Sequence, residues 1–265
     1  MSKIHIVTVG ASLISNAASQ VVEVKEILKN TTRIEDIEKG LTAGVINRNE
    51  LHNKLLQYLE NKKDTACAEL ATMWAFLDKG KIDQAYLLYT DTEVGDVCSY
   101  ALQSYLKKRG VYTIREVIKG YKDEISFQRE GIPNLALKTW GLIKKHKGHD
   151  KVYICATGGF KPETSIVTLI ANLQGIPVYY RHEFFKMHVA IPGFPVEWRY
   201  QLMEKFSAPL IELINKRIDK NDFYKKFGIE LAEQMEDDYW LIKEVDGYYE
   251  ISPIGRLLYH VMFGS

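Results

Sequence analysis

Three short segments hold the residue types from which a binding or catalytic site could be built. Val9-Gly10-Ala11-Ser12-Leu13-Ile14-Ser15-Asn16 puts a glycine, two hydroxyls and an amide into one turn. Ala156-Thr157-Gly158-Gly159-Phe160-Lys161-Pro162 joins a hydroxyl and a glycine pair to the only full positive charge in these loops. Thr90-Asp91-Thr92-Glu93-Val94-Gly95 adds two further hydroxyls. Each segment follows an apolar run and leads into a stretch with helical spacing. Free N–H groups and the positive dipole end at a helix start favour an anion, and glycines let the backbone approach a phosphate closely. Lys161 is informative because a cation is disfavoured at that dipole end unless an anion answers it. The plainer reading makes Ser12 a helix N-cap, Gly158-Gly159 a tight turn, and Thr90 and Thr92 turn formers.

Standard nucleotide and hydrolase motifs do not fit these loops. Lys161 is followed by Pro162 and lacks the Walker glycine spacing. The first loop has one glycine where a dinucleotide fingerprint needs three, and Ile14 stands where a nucleophile elbow needs glycine. Cys67, Cys98 and Cys155 are far apart with no CxxC, which argues against a zinc site or a disulfide framework; no metal or cofactor is expected. With 35 Lys+Arg against 34 Asp+Glu, an anionic partner must be held by local groups. His182 is a weaker acid–base candidate, read rather as a rim or interface histidine. Arg181 and His188 have the outer spacing of a HEPN ribonuclease motif, but that chemistry needs a helix and this segment leaves a strand. The lysines of 138–151 read as a solvated helix face.

The elements that must position these loops alternate in period. Short β-branched or aromatic runs at Ile4–Val9, Ala85–Tyr89, Tyr112–Val117, Val152–Ala156 and Val178–Tyr180 read as strands. Helical spacing covers Asn49–Leu59, Ala66–Leu77, Val94–Lys108, Leu135–Lys145 and Glu163–Leu173. This alternation predicts an α/β fold: a Rossmann-like, open, mostly parallel sheet with helices on both faces. The loops that leave its carboxyl edge are where ligands bind. The pattern changes near Pro192–Pro195, so the expected division is 1–192 and 193–265. In the second part, a helix over Glu197–Ile214, a hairpin around Asp246-Gly247 and a helix opened by Ser252-Pro253 predict a small winged-helix-like α+β appendage. The 46% hydrophobic and 26% charged content excludes disorder. The N-terminal apolar run breaks at Gly10, too short for a signal-peptide core, and no run approaches the roughly 18 apolar residues of a membrane span. The expectation is a soluble, cytoplasmic protein with no membrane partner.

The first and last of these loops, on their strands and with Thr90-Asp91-Thr92 between them, resemble the CRISPR-associated Rossmann-fold (CARF) proteins. The likeness is closest to the standalone CARF ring nucleases, which bind and cleave cyclic tetra-adenylate. It covers roughly residues 3–190 and implies a homodimer holding the ring across its two-fold axis. It further implies metal-independent attack by a ribose 2′-hydroxyl on the adjacent phosphorus, giving linear di-adenylates with 2′,3′-cyclic phosphate ends. That would switch off type III CRISPR signalling in antiviral defence. By this likeness Ser12 orients the scissile phosphate or the 2′-hydroxyl. Lys161 stabilises the transition-state charge or protonates the leaving oxygen. Gly10, Ala11, Ser15, Asn16, Thr90, Thr92, Thr157, Gly158, Gly159 and Phe160 are the expected ligand contacts. The alternative is a non-catalytic CARF sensor or transcriptional regulator that binds cyclic oligoadenylate. Residues 229–252 carry eight acidic side chains and only Lys243 as a base, which argues against DNA binding by the appendage and for a dimerisation or lid element.

Overall fold

The computed structural model describes residues 1–181, 188–194 and 196–264. The first part runs β1 (Lys3–Val9), α1 (Ser12–Gln20), α2 (Val22–Ile27), α3 (Ile34–Thr42), α4 (Arg48–Lys62), α5 (Ala68–Leu77), β2 (Gln84–Thr90) and α6 (Glu93–Lys108). It continues through β3 (Tyr112–Ile118), α7 (Glu124–Ser126), α8 (Ile132–His146), β4 (Lys151–Cys155), α9 (Lys161–Leu173), β5 (Val178–Tyr180) and β6 (Val189–Ile191). The remainder comprises α10 (Tyr200–Glu204), α11 (Ser207–Leu213), β7 (Ile218–Asp219), α12 (Lys220–Phe227), α13 (Ile229–Glu233), β8 (Ile242–Val245), β9 (Tyr248–Ile251) and α14 (Pro253–Phe263).

Six strands form one sheet in the order β3-β2-β1-β4-β5-β6, parallel except for the β5–β6 pair. Alternation along the central strands feeds two cores. Val7, Val9, Ala85 and Leu87 enter the one beneath α1 to α6, while Ile4, Ile6, Tyr86 and Leu88 enter the one beneath α8 and α9. Covering both faces is what makes these strands read as continuous apolar runs. This is the α/β Rossmann-like sheet the alternation predicts. From β1 the chain passes to β2 on one side, whereas β4 pairs on the other, so the gap beyond the ends of β1 and β4 is the switch point of the sheet.

A third core, built from Phe206, Leu210, Leu213, Phe223, Met235, Leu241, Tyr249 and Ile251, belongs to the C-terminal part. Its small antiparallel sheet has the order β7-β9-β8. Asp246 and Gly247 take φ of 52° and 80°, the left-handed pair that a two-residue hairpin turn requires. Ser252 Oγ accepts the Gly255 N–H at 3.0 Å and Pro253 opens α14, as the sequence indicates. One expectation needs correction. The helix expected over Glu197–Ile214 is interrupted at Lys205-Phe206, because Pro209 has no N–H to give the Lys205 carbonyl one turn back. The short α2 and α3 and the three-residue β6 have too few periodic apolar residues to be read from sequence. No helix among the described residues is long and apolar enough to cross a membrane.

Candidate functional site at the carboxyl edge of the sheet

The loops after β1 and β4 meet at the switch point. Thr8 Oγ1 donates to the Gly158 carbonyl at 2.6 Å. A Cβ at Gly10 would drive into the backbone of Gly159. A Cβ at Gly158 would lie 2.6 Å from the Thr8 carbonyl oxygen and overlap the Glu69 carboxylate. Gly159 takes φ of +96°, and Glu163 fills the space where its side chain would stand. The expectation that these glycines exist to admit a phosphate is therefore revised. They let two loops and a carboxylate pack at backbone distance.

A second revision concerns the helix starts expected to bind anions. Each is answered by a carboxylate of the chain itself. Glu69, at the start of α5 and 1% exposed, accepts the Gly10 N–H at 2.7 Å and the Ser12 hydroxyl at 3.1 Å. Glu38 of α3 accepts the Glu93 and Val94 N–H groups at 2.8 Å each, at the start of α6. Glu163 turns back to accept the Phe160 N–H at 2.5 Å at the start of α9. Free backbone donors and helix dipoles attract negative charge, and here internal carboxylates supply it. Burial pushes the Glu69 and Glu163 carboxyl groups above the usual range, opposed by the hydrogen bonds they accept.

Beside this junction lies a cavity of about 440 Å³ lined by Ser12, Asn16, Asp64, Thr65, Thr157 and Arg181, among others. That volume is within the range of small-molecule sites, roughly 300–1,000 Å³. Ser12 is the first residue of α1, not its cap; Ala11 holds the cap position without a side-chain bond. Ser12 Oγ also accepts the Ala68 N–H at 3.0 Å. Asn16 donates to the Ala66 carbonyl at 3.1 Å. Thr157 bonds the Thr72 hydroxyl and accepts the Arg181 N–H at 3.0 Å.

The sequence-derived residues thus divide into groups. Ser12, Asn16 and Thr157 share the cavity, while Gly10, Gly158 and Gly159 build its wall junction. Lys161, four residues past Thr157, is exposed and does not line the cavity, and its ammonium makes no hydrogen bond or ion pair among the described residues. Phe160 next to it is 65% exposed. Ser15 is exposed on α1. Thr90 and Thr92 bond each other at 2.7 Å, and Thr92 caps α6 through the Gly95 N–H at 3.0 Å; neither reaches the cavity. Arg181 belongs in the site although sequence reasoning met it only as half of a rejected ribonuclease motif. Its guanidinium bonds Asp64 at 3.3 Å and the Ala71 carbonyl at 3.0 Å. The signal that could have found it is its place just beyond β5, on the same sheet edge. His182 lies outside the described residues.

Cysteine chemistry finds no support. Burial pushes the Cys98 and Cys155 thiols up to about 12 and raises Cys67 as well, so all three stay protonated and weakly nucleophilic. No group of three or more His, Cys, Asp or Glu among the described residues could hold a metal ion. A larger groove of about 870 Å³ between β3, α8 and α14 contains none of the loop residues.

The fold and the loop junction define a Rossmann-like α/β protein with its candidate site at the switch point of the sheet. Residues 64–194, about half of the chain, match the family described as CRISPR-associated protein (Cas_APE2256). That match bears out the resemblance to the CRISPR-associated CARF proteins. Two solved structures are also similar. One is Can2 from Sulfobacillus thermosulfidooxidans in complex with cyclic tetra-adenylate, at 9% identity and a TM-score of 0.36, covering 98% of this chain and 64% of that one. The other is protein VC1899 from Vibrio cholerae, at 9% identity and a TM-score of 0.37, covering 97% of this chain and 64% of that one. This chain spans 64% of the length of each, and overlaps this loose carry no argument about mechanism.

Proposed function

We propose that this protein is a ring nuclease that binds cyclic tetra-adenylate between two copies of the chain and cleaves it. The observation that carries the reading is the meeting of the Gly10–Ser12 turn with the Thr157–Lys161 loop at the switch point, in a chain whose middle half matches a CRISPR-associated family. A ring of four adenylates can be two-fold symmetric, so two copies present identical half-sites.

The nucleophile is the ligand's own ribose 2′-hydroxyl. Its oxygen bonds to the adjacent phosphorus as the bond to the 5′-oxygen breaks; the 2′ proton leaves and the 5′-oxygen gains one. No metal is required to generate that nucleophile. The protein holds the attacking and leaving oxygens in line and offsets the charge gathering on the phosphoryl oxygens. Lys161 supplies that charge or the proton for the leaving oxygen, and its uncommitted ammonium suits either task. Ser12, facing the cavity, orients the reacting nucleotide, and Arg181 supplies a second cation held in place by Asp64.

Incubation of the pure protein with labelled cyclic tetra-adenylate in EDTA tests this. Linear di-adenylate with a 2′,3′-cyclic phosphate is expected, with the rate falling about 100-fold or more in Ser12→Ala and in Lys161→Ala. Sedimentation is expected to give twice the mass of one chain. Tight binding with the ring recovered intact would replace the enzyme by a cyclic-oligoadenylate sensor. No binding at all would remove the cyclic-nucleotide reading.

A further inference from the structure

The hydroxyl of Ser12 has one proton and two lone pairs. The proton goes to Glu69 Oε2 at 3.1 Å, and one lone pair takes the Ala68 N–H at 3.0 Å. What Ser12 can still offer the cavity it lines is a single lone pair, which is an acceptor. A phosphate oxygen, itself an acceptor, would meet that lone pair with repulsion, whereas a ribose hydroxyl would donate into it.

Glu69 sets this polarity. Its other oxygen accepts the Gly10 N–H at 2.7 Å, so both oxygens face donors and the carboxylate acts as an acceptor toward Ser12. We propose that Glu69 is a positioning residue: by holding the Ser12 proton, it makes Ser12 a reader of the ribose 2′-hydroxyl and not of the phosphate. The same carboxylate occupies the space left by the missing Gly158 Cβ, so Ser12 is held in register with the loop that carries Lys161. This deepens the cyclic tetra-adenylate reading and rests on it. It chooses between the two roles that the family resemblance leaves open for Ser12.

The test compares binding of cyclic tetra-adenylate with binding of its all-2′-deoxy analogue, which cannot be cleaved by 2′-attack. Wild type is expected to prefer the ribose ring roughly five- to tenfold, the worth of one or two net hydrogen bonds. In Glu69→Gln the amide oxygen keeps the Gly10 N–H while its NH₂ donates to Ser12, which releases the serine proton toward the cavity. The ribose preference should then shrink to within about twofold through weaker binding of the ribose ring, and kcat should fall about 100-fold while KM rises by no more than the lost preference. A carboxylate that served only the fold would weaken both rings together. Ser12→Ala gives a second route that leaves Glu69 in place: it should lose the ribose preference and keep its affinity for the deoxy ring. Equal weakening of both rings in Ser12→Ala, or a ribose preference that survives in Glu69→Gln, would overturn the role of Glu69 while leaving the ring nuclease standing. A wild type that binds neither ring overturns the cyclic-nucleotide reading and this proposal with it.

Discussion

Gly10 and Gly158 come from opposite loops and serve one contact. At each, the missing Cβ is space that another group occupies: the Gly159 backbone for Gly10, and the Thr8 carbonyl with the Glu69 carboxylate for Gly158. Backbone cannot yield as a flexible side-chain tip can, so even a methyl group must part the loops. Gly10→Ala and Gly158→Ala are each expected to cost about 1–3 kcal/mol in urea unfolding and to weaken ligand binding. Gly141 is the contrasting case, exposed within α8 with nothing inside 4 Å of its added Cβ. Gly141→Ala should raise stability by about 0.5–1 kcal/mol through helix propensity alone. If all three substitutions shift the urea midpoint alike, close packing at the junction is not what these glycines provide.

Strand β1 threads between the two cores and carries a histidine among its apolar neighbours. The His5 ring stacks on Tyr153 at 4.8 Å and meets Phe76 edge-on at 5.0 Å. Desolvation lowers its pKa to about 3. In the unfolded chain the ring takes a proton once the pH falls below about 6.5, whereas in the folded chain it stays neutral down to about 3. The stability that His5 contributes is therefore whole above pH 6.5, drains away as the pH falls toward 3, and changes no further below that. Urea midpoints taken at about pH 7 and about pH 5 should drop more for wild type than for His5→Phe, which keeps the ring stack without the titration. Equal drops would mean that protonation of His5 is not coupled to unfolding. The helices depend on carboxylates in another way. Glu38, Glu69 and Glu163 each take backbone N–H groups at an element start, which leaves side chains such as Lys161 and Arg181 as the groups for an external anion.

Across the whole molecule, α14 ties the appendage to the sheet. Leu257 is buried in the core that holds Trp140, Leu142 and Val167, while Ile254, Leu258 and Tyr259 of the same helix pack against the third core. Leu257→Ala is expected to cost about 2–4 kcal/mol, read from denaturant midpoints. It should also broaden the unfolding transition if the parts lose their coupling. A sharp transition with an unchanged midpoint would show that α14 contributes no shared stability.

Several features could be read without coordinates because they depend on near neighbours in the chain. The five parallel strands show as apolar runs since both faces are covered, and the Asp246-Gly247 turn and the Ser252-Pro253 cap each announce themselves within a few residues. Pro209 was equally open to reading as the reason the long helix breaks. That the loops after β1 and β4 share an edge followed from strand–helix alternation. What filled that edge did not. Glu69 stands 59 residues from Gly10, and Asp64 stands 117 from Arg181, and no local pattern links such pairs. The helix starts looked open to phosphate because backbone donors are visible in a sequence, while two of the three carboxylates that claim them, Glu38 and Glu69, arrive only when α3 and α5 pack; Glu163 stands within its own helix start. A periodic pattern is enforced by each residue's own neighbours, but the partner of a buried charge is chosen by which surfaces the finished fold presses together.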